Sequence, residues 1–511
     1  MDRRHRVGRG LALTVAIGLA GSLASAPPAA ADRDDVGQVE WGACPDDVTA
    51  KAPDLNVRCG TVTVPLDYDD PDGTQIDLMV SRLASENPHK RRGVLLLNPG
   101  GPGGSALTMP AELADLGIPS KVLDTYDLIG MDTRGFGHSA PIDCGFTVGQ
   151  DYIGNVPPYA VDNAAVVEQA EIAKGVAEQC AANDTDGRMA HITTANTARD
   201  LDRIRAALGE KKASYFGLSY GSALGAAYAS MFPDTTDRVL IDSNLGDTAL
   251  DRAGLRRYAL GMEETFPDFA KWTAARNSAY GLGRTPEEVR ETYFALAERL
   301  DEKPVFGIDG RQFRFTTFGG LYAKRTYGRT AQLWEAIKDA DETAVKRAAK
   351  RLMAETRGVP GAAAEGASYS NSWSVFLTVT CNDVEWPSDV RAYQHSVAAD
   401  REKYPLFGAA AANILPCAFW PHAPSEPQVK INDDGPTNIL ITQNRHDPVT
   451  PLLGGQLFRK KFTDRSRLVT ADGSGHGVYV YGGNACALNV GTAWLADGVM
   501  PEKDVTCRAS G

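Results

Sequence analysis

The stretch YFGLSYGSALGAAYAS, Tyr215–Ser230, sets one serine, Ser219, between Gly217 and Gly221, with an apolar run before it and a run of small, helix-compatible residues after it. A G-x-S-x-G pentapeptide that ends a strand and opens a helix forces the backbone through a sharp turn. The small flanking residues let that turn lift the serine hydroxyl to the top of a sheet, and the N–H of the following residue, Tyr220, then faces a developing oxyanion. The motif alone is common, so its meaning depends on what surrounds it.

Working outward, short apolar runs alternate with helical patterns: GVLLLN from Gly93, YDLIGMD from Tyr126, ASYFG from Ala213, RVLIDS from Arg238, TNILIT from Thr437 and RLVTAD from Arg467. These read as buried strands of an α/β sheet. Between two of them, Leu201, Ile204 and Leu208 recur at helical spacing, with Thr193 or Thr194 as cap and Gly209 as stop, which predicts a helix packed on the sheet. From about Asp247 to Thr380 the strand signal vanishes in favour of Ala, Arg, Glu and Lys with scattered aromatics. That segment reads as a helical insertion between two parts of one sheet.

A serine hydroxyl needs a base, and the base needs an acid to orient it. Of the eight histidines, His476 lies in GSGHGVY just after RLVTAD, where a glycine-rich loop can swing an imidazole over the sheet edge. His5 lies in the leader, His89, His138, His191, His395 and His422 do not follow a late strand, and His446 adjoins the candidate acid. That acid is Asp447, directly after TNILIT in QNRHDPVTP. Ser219, Asp447, His476 is the chain order of α/β-hydrolases. Each alone has a plain reading, a surface histidine or an Asp-Pro turn, but all three follow successive strand ends. A second oxyanion donor is required, and the glycine loop Pro99–Ser105 after GVLLLN supplies Gly101 to act with Tyr220. A phosphate loop is disfavoured there because its Lys-Ser/Thr is absent. DTRGFGHSAP from Asp132 reads as a structural turn beneath the site.

The ends and composition set the context. MDRRHRVGRG is basic, LALTVAIGLAGSLASA is apolar, and Ala29-Ala30-Ala31 suits signal peptidase, so residues 1–31 read as a secretory signal. The rival, a membrane anchor, is disfavoured by a short apolar run broken by Gly18, Gly21 and Ser22. An Arg3-Arg4 pair hints at twin-arginine export without its full consensus. The formal net charge is −12, and loss of a leader with four Arg and one Asp would take it to −15. Such acidity argues against nucleic acid or an anionic membrane as partner. Eight cysteines without a CxxC pair read as structural disulfides rather than a zinc site. Sequence neighbours suggest Cys44 with Cys59, Cys144 with Cys180, Cys381 with Cys417 and Cys486 with Cys507, one of many connectivities open to eight cysteines.

Together NPGGPGGSA, DTRGFGHSAP, GLSYGS, QNRHDPVTP and GSGHGVY resemble the secreted actinobacterial tripeptidyl aminopeptidases, serine exopeptidases related to proline iminopeptidases, over nearly the whole mature chain. The resemblance implies an α/β-hydrolase core with a mostly parallel sheet, helices on both faces and a helical cap. It implies residues 32–246 and 381–511 as the two parts of the core and 247–380 as the cap. It implies a secreted monomer acting without cofactor or metal on peptides with a free N-terminus, through Ser219, Asp447 and His476 with Gly101 and Tyr220. Proline iminopeptidases carry HGGPG at the glycine loop, where this chain has Pro99 in first place. Related enzymes hold the substrate amine with acidic cap residues. Asp383 and Glu385 in VTCNDVEWP are the first candidates here, with Glu263 and Glu264 as alternatives, although most acidic residues are simply solvated. A carboxylesterase or lipase with the same triad is the rival function, and an inactive binding protein a more distant one.

Overall fold

Each apolar run read as a strand is a strand in the computed structural model, which describes residues 38–509 apart from 52, 148, 149, 151–153, 155 and 357–366. The signal-peptide reading of residues 1–31 lies outside the described residues. The strands are β1 (Gly42–Ala43), β2 (Val57–Pro65), β3 (Gln75–Leu83), β4 (Gly93–Asn98), β5 (Tyr126–Met131), β6 (Ala213–Leu218), β7 (Thr236–Asp242), β8 (Ile439–His446), β9 (Ser466–Ser474) and β10 (Val505–Cys507). They form one sheet in the order β1-β2-β3-β5-β4-β6-β7-β8-β9-β10. From β5 to β10 every pairing is parallel, and β1, β2 and β3 add antiparallel strands at one edge.

The sequence reading missed β2 and β3 for a physical reason. Parallel strands covered by helices on both faces are continuously apolar, and β4, β5 and β6 are buried at every residue. Strand β2 instead alternates buried Val57, Cys59, Val62 and Val64 with exposed Arg58, Thr61 and Thr63. Its nine-residue register with β3 runs from Val57 opposite Leu83 to Pro65 opposite Gln75.

The predicted helix is present at Thr194–Ala207, with the Thr193 side chain accepting from Asn196 N. Between β7 and β8 the described elements are helical. The chain rejoins the sheet only at Ile439, and residues from 381 onward first build more of the helical layer. There, Asp400 takes a bidentate ion pair from Arg256, Tyr293 Oη donates to Leu406 O at 2.7 Å, and Phe407 stacks on Phe318 at 4.5 Å between centroids. These tertiary contacts leave no local signal in the sequence. An aromatic cluster of Phe266, Phe269, Tyr293, Phe313 and Trp334 forms the interior of this layer.

All four expected disulfides are formed, Cys44–Cys59, Cys144–Cys180, Cys381–Cys417 and Cys486–Cys507. Among the described residues no helix is long and apolar enough to cross a membrane.

Candidate active site

Strand β6 ends at Leu218, and the chain reverses at once into the helix Tyr220–Met231. Ser219, at the corner, has φ 61° and ψ −123°, a left-handed backbone rarely tolerated outside glycine and stored at functional sites. The pentapeptide glycines are sterically required. A Cβ on Gly217 would fall 2.3 Å from Gly221 O, and one on Gly221 would fall 2.6 Å from Asn98 O. The elbow is therefore packed directly against the end of β4. Ser219 itself is buried, and its N–H donates to Asp242 O at 3.0 Å.

The glycine loop closes on the same corner. Gly100 N donates to Asn98 Oδ1 at 2.9 Å, and a Cβ on Gly100 would meet Leu218 O at 2.5 Å, Ser219 Cβ at 2.9 Å and Tyr220 N at 3.0 Å. Tyr220 is the first helical residue, so its N–H has no acceptor within the helix. With the Gly100 amide engaged, the next amide in the loop is that of Gly101, which has φ 113°.

Strand β8 delivers Asp447 and β9 delivers His476. Asp447 is fully buried and accepts from Val449 N and Thr450 N, both at 2.9 Å, and from Thr450 Oγ1 at 2.8 Å. His476 Nδ1 lies 2.9 Å from Asp447 Oδ2. The ring thus donates Nδ1–H to the carboxylate and presents an unprotonated Nε2, which is buried with no hydrogen-bond partner among the described residues. Thr450 Oγ1 also lies 3.2 Å from His476 Nδ1. Sequence reasoning missed this threonine, although an aspartate accepting N–H groups two and three residues on is a recognisable turn signal. From the helical layer, Tyr322 O accepts from His476 N at 2.7 Å and the Tyr322 ring meets the imidazole edge-on at 5.5 Å.

DTRGFGHSAP forms a turn directly after β5. Arg134 is fully buried, paired with both oxygens of Asp200 and donating to Pro65 O, Leu66 O and His191 O. His446 is used elsewhere, in an ion pair with Asp268 at 2.7 Å.

The acidic candidates separate. Asp383 is buried, and its carboxylate accepts from Thr194 N at 2.8 Å and Thr194 Oγ1 at 2.5 Å. Thr194 Oγ1 in turn lies 2.6 Å from Tyr220 Oη. With the threonine proton given to Asp383, the tyrosine must donate, so Asp383 anchors the Tyr220 side chain through Thr194. Thr194 thus occupies one acceptor site on each Asp383 oxygen. Glu385 is exposed. Glu263 is held by Arg290 and by Leu406 N, both at 2.9 Å. Glu264 alone of the four has a buried oxygen, Oε2, without a partner. It sits one turn beyond Gly261, where a Cβ would come within 2.7 Å of Asp447 O.

Burial pushes the Asp383 carboxyl up to about 7, against the opposing effect of its Thr194 hydrogen bonds. A carboxyl whose pKa is higher folded than unfolded stabilises the fold in full below its unfolded pKa of about 4, and that contribution is lost as pH rises through about 7. Asp383→Asn abolishes this titration. Urea unfolding at pH 4.5 and 7.5 should show the wild type losing about 3 kcal/mol more than the variant over that interval. Parallel losses in the two proteins would remove Asp383 as the source.

The chain has recognisable relatives among known proteins. A family model described as TAP-like protein matches residues 404–507. A tripeptidyl aminopeptidase of Streptomyces lividans is 35% identical over 483 residues, covering 92% of this chain and 86% of that protein. The serine protease Hip1 of Mycobacterium tuberculosis is 28% identical over 488 residues, 92% of this chain and 91% of Hip1. A carboxylesterase B of Mycobacterium tuberculosis is 29% identical over 534 residues, 99% of each chain. The chain is similar to all three along most of its length, and the first two are named as peptidases.

Proposed function

Because the chain belongs to the tripeptidyl aminopeptidase family of α/β-hydrolase serine peptidases, we propose that it releases tripeptides from the free N-terminus of extracellular oligopeptides, with Ser219 as nucleophile, His476 as base and Asp447 as orienting acid. The observation that carries this reading is the buried Asp447–His476 pair, which leaves Nε2 as the ring nitrogen available to act as base. Four disulfides support an oxidising, extracellular location.

Ser219 Oγ attacks the scissile carbonyl carbon while its proton passes to His476 Nε2. The oxyanion forms against the N–H groups of Gly101 and Tyr220. His476 then gives the proton to the leaving amine as the C–N bond breaks, leaving an acyl-Ser219. Water attacks that ester, its proton goes to His476, and Ser219 regains a proton as the peptide acid departs. Asp447 fixes the imidazole tautomer and offsets the transient imidazolium charge throughout. A carboxylate at the boundary of cap and core meets the substrate α-ammonium; the free oxygen of Glu264 makes it the first to test, beside Asp383 and Glu385.

The carboxylesterase relative supports a second reading, an esterase with the same triad. Chromogenic amides of one, two and three residues, each with a free or acetylated N-terminus, separate the two. A peptidase that pairs a carboxylate with the α-ammonium should lose about 2–5 kcal/mol in kcat/KM on acetylation, with the free tripeptidyl amide the best of the set. The Glu264→Gln, Asp383→Asn and Glu385→Gln variants locate the anchor, since its loss removes most of that preference. Equal kcat/KM for free and acetylated tripeptidyl amides would overturn the aminopeptidase reading.

A further inference from the structure

We propose that Asp242, the last residue of β7, is a positioning residue that fixes the base relative to the nucleophile, holding the Ser219 elbow with its backbone and the His476 loop with its side chain. The inference rests on the triad reading above and adds a residue that no catalytic step touches. Strand β7 lies between the strand that carries Ser219 and the two that carry Asp447 and His476. Its final residue therefore lies between the two sides.

The contacts are specific. Asp242 O accepts from Ser219 N at 3.0 Å. Its carboxylate accepts from Tyr479 N at 2.7 Å and from Val478 N at 3.0 and 3.1 Å to its two oxygens. The next residue, Ser243, takes a left-handed φ of 52°, and its hydroxyl donates to Asp242 Oδ1 at 3.0 Å while accepting from Gly477 N at 2.8 Å. Three consecutive amides directly after His476 are thus captured by two adjacent side chains. Gly477, at φ 96°, supplies the bend that turns them inward.

Asp242 is fully buried, and a buried acid without an ion-pair partner is expensive unless its lone pairs are met. Here they are met almost wholly by the histidine loop, which fits a role in placing that loop. Burial raises the Asp242 carboxyl to about 6, with the Tyr479 and Val478 amides holding it down. At neutral pH it is mainly the acceptor-only carboxylate that these donors require.

Asp242→Asn preserves the shape but turns an N–H₂ group toward N–H donors, so the loop must shift. Misplacing a base by about 1 Å can cost about 10²-fold in rate. The full chain carrying Asp242→Asn should lose about that factor in kcat on a tripeptidyl amide with KM within about twofold of wild type. The far-downfield proton resonance of His476 Nδ1–H should broaden or move, a signature that a general loss of stability would not produce in the folded protein. Ser243→Ala, which leaves Gly477 N unpaired and removes one donor from Asp242 Oδ1 but keeps the Val478 and Tyr479 amides on the carboxylate, should shift both readouts in the same direction by less, and it decides the matter if Asp242→Asn does not fold. A folded Asp242→Asn or Ser243→Ala with wild-type kcat and an unmoved resonance overturns the inference. Ser219→Ala, measured alongside, keeps the two claims apart: an active Ser219→Ala sinks the triad, whereas an inactive one beside a fully active Asp242→Asn sinks only the role of Asp242.

Discussion

Ser219→Ala should fold as the wild type does and lose roughly 10⁶-fold in kcat, the scale on which removal of a triad serine acts. Folding is expected to survive because Ser219 N and Ser219 O, which tie the elbow to Asp242 and Ser222, are backbone atoms. Alanine also meets the same left-handed φ of 61° that serine already occupies. What disappears is the oxygen that forms the acyl-enzyme. Residual turnover about 10³–10⁴-fold above water should remain, from the oxyanion donors and from binding alone. Thermal unfolding together with turnover of a tripeptidyl amide checks both halves. A folded variant that retains more than a few per cent of wild-type rate would remove Ser219 as nucleophile.

Asp447→Asn should cost on the order of 10⁴-fold in kcat with little change in fold. The asparagine oxygen can still accept from Val449 N and Thr450 N, the two amides bound by Oδ1. The amide nitrogen, however, would take the place of the oxygen that accepts from His476 Nδ1 and Thr450 Oγ1. It favours the tautomer with the proton on Nε2, which cannot accept from Ser219. Rate should partly recover at high pH, where hydroxide can replace the missing base. A variant with wild-type kcat at neutral pH would show that Asp447 only shapes its turn.

The parts of this site legible in the sequence share one property: each closely follows a strand that carries a short apolar run. GVLLLN, ASYFG, TNILIT and RLVTAD declare themselves by composition, so the glycine loop, Ser219, Asp447 and His476 could be recognised by their place at the strand ends. The half-buried β2 and β3 carry a weaker, alternating signal. Residues whose role depends on a distant partner were not legible. Asp383 reads as a free acid until Thr194, 189 positions earlier, takes up its carboxylate. Asp242 reads as the end of a strand until Tyr479, 237 positions later, donates to it. The expected return of the chain to the core at 381 follows only from the loss of strand signal between about Asp247 and Thr380. The packing of Phe407 on Phe318 and of Asp400 on Arg256, which keeps the chain in the helical layer, has no periodicity to announce it.

The most direct measurement of the central claim is covalent capture. A tripeptidyl aryl phosphonate with a free N-terminus presents a tetrahedral phosphorus where the scissile carbonyl would stand, and only an activated nucleophile displaces the aryl leaving group. Peptide mass spectrometry after incubation should place one adduct per chain on Ser219 in the wild type. The Ser219→Ala and His476→Ala proteins should carry none, and an N-acetylated reagent should react far more slowly. An adduct on any other residue, or an active enzyme that leaves Ser219 unmodified, would contradict the account.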